Sequence, residues 1–346
     1  MRVSRPRQIA VAVVGLGFGA NHARVLAHMP GVKLTVCDLE PARLQAAGIA
    51  GAPAYADYQT MLVRERPDAV VVAVPTRLHV EVALAAIDAG AGVLVEKPLA
   101  SSLAEGRRLT RAAEQAGVVL MPGHIERFNP AVQALARCVR GDKVGRVLQI
   151  GARRLAYFVP RARDVDVGVV HDLAYHDIDT LRHIDGSEVE RVFAETQRDV
   201  HTPYDDSLSA VLRFESGVVG TLEVNWLSPR KVRELSVLGE RGALLAEYAD
   251  FRSPRLEYQP SQTLQETPGP GEAAPVRVRG DEPPPPRRIP VEPLEPLQEE
   301  LAAFVVAVRD QTPPPVTGAD ALATLAVADA LTESARTGLP ALPARA

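Results

Sequence analysis

The sequence predicts an α/β chain in two parts: a doubly wound parallel sheet, then an α+β part with a large, open, mostly antiparallel sheet. Three observations carry that expectation. The 346 residues are too many for one small core and suit two domains of ordinary size. The first third alternates short, unbroken apolar runs with helical stretches, as strands do when helices cover both faces of their sheet. After about Gly123 the rhythm changes to long segments rich in Val, Leu and Arg, so the domains are drawn at residues 1–123 and 124–346.

In the first part, strands are expected at Ile9–Val14, Lys33–Cys37, Ala69–Val74, Gly92–Val95 and Val118–Met121. Between them fall helices over Ala20–His28, from Pro41, and over Arg77–Ala89. Another runs from Ser102 to Gln115, opened by Ser102-Leu-Ala-Glu105, a capping box in which each side chain satisfies an orphan backbone N–H. In the second part, strands are expected at Arg146–Val159, Arg191–Val200, Ser207–Phe214, Val218–Trp226 and Lys231–Leu238. Ser216-Gly217 separates two of them at hairpin distance. One helix, about Asp172–His183, interrupts the strands. A proline-rich connector at about 260–296 precedes helices over Glu299–Arg309 and Ala319–Thr337, which are expected to pack back toward the first domain.

Composition excludes several classes of function. With 46% hydrophobic and 24% charged residues the chain is globular rather than disordered. A net charge of −4, with no dense Lys/Arg run, offers no face to nucleic acid. Cys37 and Cys138 stand far apart in apolar runs and read as small buried hydrophobes in a reducing compartment. Arg2, Arg5 and Arg7 before Ile9–Val14 mimic a signal peptide, yet the apolar run passes straight into Gly15 with no cleavage site. No run of ~18 apolar residues is present to span a membrane. A cytoplasmic protein is expected.

The first chemical motif is Gly15-x-Gly17-x-x-Ala20, which follows a strand and opens a helix. Its first glycine permits a tight turn, its second lets the backbone approach a pyrophosphate, and its small third residue allows close packing. The helix N-terminus then offers N–H groups and partial positive charge to phosphates. Taken alone this pattern is weak. Asp38 strengthens it, ending the next strand 21 residues after Gly17, where an acid accepts hydrogen bonds from the adenine ribose. A carboxylate there repels the 2′-phosphate of NADP, so NAD is favoured, although Arg43 stands nearby.

Two further motifs bear on catalysis. Glu96-Lys97-Pro98 ends a strand of the same sheet, and ligands bind at the carboxyl ends of such strands. Asp172 and His176 lie four apart on a predicted helix, which puts a carboxylate on the same face as an imidazole able to handle a proton. Asp179 and His183 continue that stripe; the bland alternative is a helix-surface pair. No third ligand stands at a convincing spacing for a metal, and none is expected.

Several features together resemble one family. Gly15-Leu-Gly-Phe-Gly-Ala20, Val74-Pro-Thr-x-x-His79, Glu96-Lys-Pro98 and Asp172-x-x-x-His176 occur in the order seen in the glucose–fructose oxidoreductase / inositol dehydrogenase / MocA family. Gly239-Glu-Arg-Gly242 and Glu333-Ser-Ala-Arg-Thr-Gly338 are similar to it too. The resemblance implies a Rossmann domain, then a domain whose exposed sheet face packs on another subunit, giving a homodimer or homotetramer. It implies Lys97, Asp172 and His176 as the catalytic set. It also implies a cofactor site lined by Gly15, Gly17, Phe18, Gly19, Ala20, Asn21, Asp38, Val74, Pro75, Thr76, His79, Glu96 and Lys97. His22 is as readily a packing residue as a feature of the family's first helix.

Gly123-His-Ile-Glu-Arg-Phe-Asn-Pro130 is similar to members that oxidise nucleotide-linked amino sugars, including UDP-N-acetylglucosamine 3-dehydrogenases. Arg127 there suits a pyrophosphate or an acidic sugar group, and joins Lys97, Asp172 and His176 as a substrate contact. The expected reaction is NAD-dependent hydride transfer at a secondary alcohol of a sugar or nucleotide sugar. His176 serves as general base or acid, Lys97 binds the reacting oxygen and Asp172 orients the imidazole, with the Lys97 and His176 roles open to exchange. Two alternatives stand beside it: a dehydrogenase of inositol, another polyol or another cyclic compound, and a cofactor-binding regulator without turnover.

Overall fold

A computed structural model describes residues 8–49, 51–157, 167–198, 200, 203–261 and 284–345. The chain divides into two compact units, one of Met1–Phe128 with Glu295–Ala326 and Ala344–Ala346, the other of Asn129–Leu294 with Val327–Pro343.

The first unit holds strands β1 (Ile9–Val14), β2 (Val32–Cys37), β3 (Ala54–Tyr55), β4 (Ala69–Val72), β5 (Gly92–Glu96) and β6 (Leu120–Gly123). They form a six-stranded sheet of order β3-β2-β1-β4-β5-β6, parallel throughout. The connections are α1 (Ala20–Ala27), α2 (Pro41–Ala47), α3 (Tyr58–Glu65), α4 (His79–Asp88) and α5 (Leu103–Ala116). The chain reverses outward from β1 on both sides, so the carboxyl ends of β1 and β4 open a crevice at the topological switch point. Unbroken apolar strands follow from cover on both faces. In β1, Ala12 and Val14 join a core with Val82, Ala86 and Leu109 from α4 and α5, while Val11 and Val13 join the opposite core with Val25 and Leu26 of α1. The expected Ser102 cap is present: its hydroxyl accepts the Glu105 N–H at 3.3 Å.

The second unit holds α6 (Pro130–Arg140), β7 (Val147–Tyr157), α7 (Tyr175–Asp185), β8 (Val189–Arg198), β9 (Asp205–Phe214), β10 (Val219–Asn225), β11 (Leu227–Gly239), β12 (Gly242–Glu247), β13 (Arg255–Pro260) and β14 (Arg287–Arg288). Eight strands run in the order β14-β13-β12-β11-β7-β10-β9-β8, with β10 parallel to β7 and every other pair antiparallel. The large, mostly antiparallel second sheet is therefore as the sequence predicts. Ser216-Gly217 makes the β9–β10 turn. Helices α6 and α7 pack on one face of the sheet. On β9, Leu208, Leu212 and Phe214 are buried toward the helices while Val211 between them is exposed.

Two C-terminal helices follow, α8 (Pro296–Asp310) and α9 (Gly318–Thr337). Leu297, Leu301, Phe304 and Val308 of α8 complete the core beneath α1 in the first unit, and Ala321 of α9 joins the other core. Of the proline-rich connector, residues 262–283 lie outside the described residues.

Candidate active site

The turn after β1 is fixed by close contacts. Gly15 has φ +90°, and a Cβ there would stand 2.6 Å from the Ala73 carbonyl oxygen, so only glycine fits. A Cβ on Gly19 would stand 2.0 Å from the Gly15 oxygen. The close packing that the fingerprint assigns to its third small position therefore falls on Gly19, with Ala20 beside it half-buried. Gly17 faces open space apart from the Arg43 guanidinium, 3.5 Å from its ideal Cβ. Helix α1 starts here with no side-chain cap and no acidic residue in its first turn, which leaves its N-terminal dipole available to an anion. Phe18 and Asn21 are exposed beside it.

Asp38 follows β2 and is buried. Its Oδ2 accepts the Leu16 N–H at 2.6 Å and its Oδ1 the Glu40 N–H at 2.8 Å, so the carboxylate ties the end of β2 to the glycine turn. Remaining lone pairs suit ribose hydroxyls. Arg43 Nη1 lies 3.8 Å from Asp38 Oδ2 while Nη2 pairs with Glu40 at 3.1 Å, so two carboxylates hold this cation. Glycine turn, uncapped helix start and carboxylate fit a dinucleotide.

Val74, Pro75 and Thr76 form the turn after β4 and are half-buried to exposed. His79, at the start of α4, is buried and ties that turn to the next: Nε2 meets the Val74 carbonyl at 2.9 Å and Nδ1 the Pro98 carbonyl at 2.8 Å. Burial lowers its pKa despite those two acceptors. Among the residues expected to line the cofactor, His79 thus shapes the walls with both ring nitrogens already engaged.

Glu96 and Lys97 stand at the carboxyl end of β5, half-buried. Glu96 Oε1 hydrogen-bonds His22 Nε2 at 2.7 Å, and Oε2 accepts the Lys97 N–H at 3.1 Å. Burial pushes the Glu96 carboxyl up, but His22, the Lys97 charge and the Lys97 N–H outweigh it and hold it below the ordinary glutamate value. His22 belongs to the first turn of α1, so Lys97 stands one residue from a group bonded to the helix that follows the glycine turn.

In the second unit the expected single helix over Asp172–His183 has two parts. Val170–Ala174 form a π turn, and α7 begins at Tyr175. Asp172 lies in the π turn and His176 in α7, both half-buried. Their spacing of four therefore straddles a change of helical pitch, a local irregularity common at functional sites. What sets this segment in place was not legible in the motifs. Arg154 on β7, 2% exposed, donates Nε at 2.8 Å and Nη2 at 3.0 Å to the wholly buried Asp177. The Thr180 hydroxyl donates to the His176 carbonyl at 2.8 Å. Of the rest of the stripe, Asp179 is buried, 3.9 Å from Arg182.

Arg127 lies in a 3-10 turn, Ile125–Phe128, and donates Nη2 to Asp320 at 2.9 Å. Burial raises the Asp320 carboxyl, but the Arg127 charge and the Thr317 hydrogen bonds lower it further. Part of the Arg127 fork is thus already engaged. No group of three or more His, Cys, Asp or Glu that could hold a metal exists among the described residues, and none of their helices is long and apolar enough to cross a membrane.

The chain is similar to known proteins over most of its length. Residues 9–124 match the model of an oxidoreductase family with an NAD-binding Rossmann fold, and 132–245 match the C-terminal domain of the same family. The chain is 30% identical to a D-apiose dehydrogenase of Paraburkholderia graminis, over 94% of this chain and 88% of that one. It is 31% identical to a myo-inositol 2-dehydrogenase of Thermotoga maritima, over 68% and 75%. Its fold is similar to a UDP-N-acetylglucosamine 3-dehydrogenase of Acidithiobacillus ferrooxidans, with TM-score 0.79 and 26% identity over 95% and 98% of the chains. It is also similar to a Bordetella pertussis dehydrogenase solved with NADH and UDP-GlcNAcA, with TM-score 0.78 and 24% identity over 97% and 99%.

Proposed function

This chain belongs to the glucose–fructose oxidoreductase / inositol dehydrogenase / MocA family of NAD-binding oxidoreductases, and from that premise we propose that it acts on a nucleotide sugar, a UDP-N-acetylamino sugar foremost. The observation that carries the assignment of a catalytic site is Lys97, set at a strand end whose preceding carboxylate bonds the phosphate-loop helix.

Bound NAD would supply the ring that accepts or returns the hydride. Gly15, Gly17 and the start of α1 would hold its pyrophosphate, and Asp38 its adenine ribose; Phe18, Gly19, Ala20, Asn21, Val74, Pro75, Thr76, His79 and Glu96 would complete the surroundings. As the substrate carbon loses hydride, its hydroxyl must lose a proton. His176 takes that proton at its imidazole as general base, and returns it in the reverse direction. The Lys97 ammonium donates a hydrogen bond to the same oxygen and stabilises the charge that develops there. Asp172 orients the imidazole. The working enzyme is cytoplasmic and a homo-oligomer, joined through the exposed sheet face that carries Phe193, Val211, Leu238 and Leu245.

One observation favours a second reading. Because Arg127 already donates to Asp320, less of its fork is left for a pyrophosphate, which suits an uncharged polyol such as inositol. Reduction of NAD, followed with UDP-N-acetylamino sugars, inositols and apiose side by side, separates the two. Faster turnover of the UDP sugar supports the first reading. Turnover of free polyols alone overturns it, and NAD binding without reduction by any of them overturns both.

A further inference from the structure

Four elements of the first unit bring titratable side chains together near the carboxyl end of its sheet. His22 comes from α1, Glu96 from the end of β5, Glu126 from the 3-10 turn after β6 and Glu300 from α8, a helix that packs on both α1 and that turn. His22 and Glu300 are wholly buried and Glu126 is 4% exposed. Glu96 is anchored on both oxygens, by His22 and by the Lys97 N–H. Glu300 differs: neither of its carboxylate oxygens has a hydrogen-bond partner among the described residues.

An ionised carboxylate cannot persist in that setting. It would have lost its water, gained no donor, and met the like charges of Glu96 and Glu126. Burial first, then those two carboxylates, push the Glu300 carboxyl well above the ordinary glutamate range. The cations nearby are already matched: Lys97 acts on Glu96, Arg127 pairs with Asp320, and Arg24 on α1 pairs with Glu295. A protonated Glu300 resolves both conflicts, since it removes a charge and supplies an O–H donor among acceptors.

We propose that Glu300 is a positioning residue, whose carboxyl group donates a hydrogen bond to the neighbouring carboxylates of Glu96 and Glu126 and so fixes the backbone from which Lys97 projects. One cluster thereby joins the helix that receives the pyrophosphate to the strand end that carries the lysine. Only the kinetic part of the following test rests on the proposed role of Lys97.

The test compares the wild-type chain with Glu300→Gln, which keeps the shape and a donor, and Glu300→Leu, which keeps neither donor nor acceptor. In infrared spectra at neutral pH the wild type shows the carbonyl stretch of a protonated, buried carboxyl group, and Glu300→Gln loses it. Proton linkage gives a second readout. A carboxyl group with a raised folded pKa stabilises fully below its unfolded value of ~4.3 and loses that contribution as pH rises toward the folded value. The melting temperature of Glu300→Gln relative to wild type therefore climbs with pH above that point. With NAD and substrate, Glu300→Leu loses roughly tenfold to a hundredfold in kcat, as a displaced reacting group does, with KM for NAD little changed, and Glu300→Gln recovers most of the loss. A wild type without the carboxyl band, a melting difference flat with pH, or equal kcat for the two variants overturns the proposal. Should Glu300→Leu not fold, the band and the pH slope of Glu300→Gln decide. Both readouts stand even if no tested sugar reduces NAD.

Discussion

The sheet of the first unit is buried on both faces and that of the second on one, and the two carry their functional residues accordingly. In the first, side chains pointing either way from a strand enter a core, as Ala12 and Val13 do from β1. Little of such a sheet meets solvent except its ends, so the site is made of turns: Gly15, Asp38, Val74 and Lys97 all follow strand ends. In the second, cover by α6 and α7 leaves a free face where Arg153 bridges Glu223 at 2.7 Å and Glu234 at 2.9 Å across three strands. The candidate residues there ride on a covering segment instead, and a buried ion pair, Arg154 with Asp177, ties that segment to the sheet. A doubly covered sheet positions chemistry through its backbone ends; a singly covered one needs a specific side-chain anchor.

The largest expected effects separate these modes of positioning. Lys97→Ala or His176→Ala should each lower kcat by roughly 10²–10⁴ in steady-state NAD reduction, while cofactor binding, read by NADH fluorescence, survives. Arg154→Met should destabilise the second unit by about 3–5 kcal/mol in denaturant unfolding, because it removes the guanidinium from a buried, doubly hydrogen-bonded ion pair with Asp177. A loss under 1 kcal/mol would mean that the anchor does not hold α7. Within β9, Leu212→Ala should cost about 2–5 kcal/mol at any protein concentration, and the neighbouring Val211→Ala about 0.5 kcal/mol or less in the dissociated chain. The Val211→Ala cost should grow at concentrations where another copy covers the free face; a cost that stays small at every concentration would remove Val211 from the subunit contact. Asp38→Asn should move the NAD:NADP ratio of kcat/KM roughly tenfold toward NADP, the order expected for a charge-assisted hydrogen bond. An unchanged ratio would remove Asp38 from cofactor choice.

The two sheets also differ in the pattern that they impress on the sequence. Unbroken apolar runs and the glycine turn mark the parallel sheet within a few residues, because burial on both faces leaves no other pattern. Long segments rich in Val, Leu and Arg mark β7 to β11, although β8 begins at Val189 rather than Arg191 and β11 already at Leu227 rather than Lys231. Strands β3 and β12 to β14 and helices α3 and α6 are additional. Gly242–Glu247 carries Ala, Leu and Glu, strong helix formers, and becomes a strand by pairing with β11 on one side and β13 on the other. At the site, residues that touch the backbone are visible as motifs. Those that act through distant partners are not: Arg154 meets Asp177 across 23 residues, and Glu300 faces Glu96 across some 200. The π turn under Asp172 is a tertiary feature with no signature in an apolar period.

In the proposed reaction Lys97 and His176 serve one chemical step. Kinetics of Lys97→Ala, His176→Ala and the double variant on the substrate identified by NAD reduction test it most directly, since residues that act as a unit are strongly non-additive. The double variant is expected to be scarcely slower than the slower single one. A double variant whose loss equals the product of the two single losses, or single variants that turn over like the wild type, would contradict it.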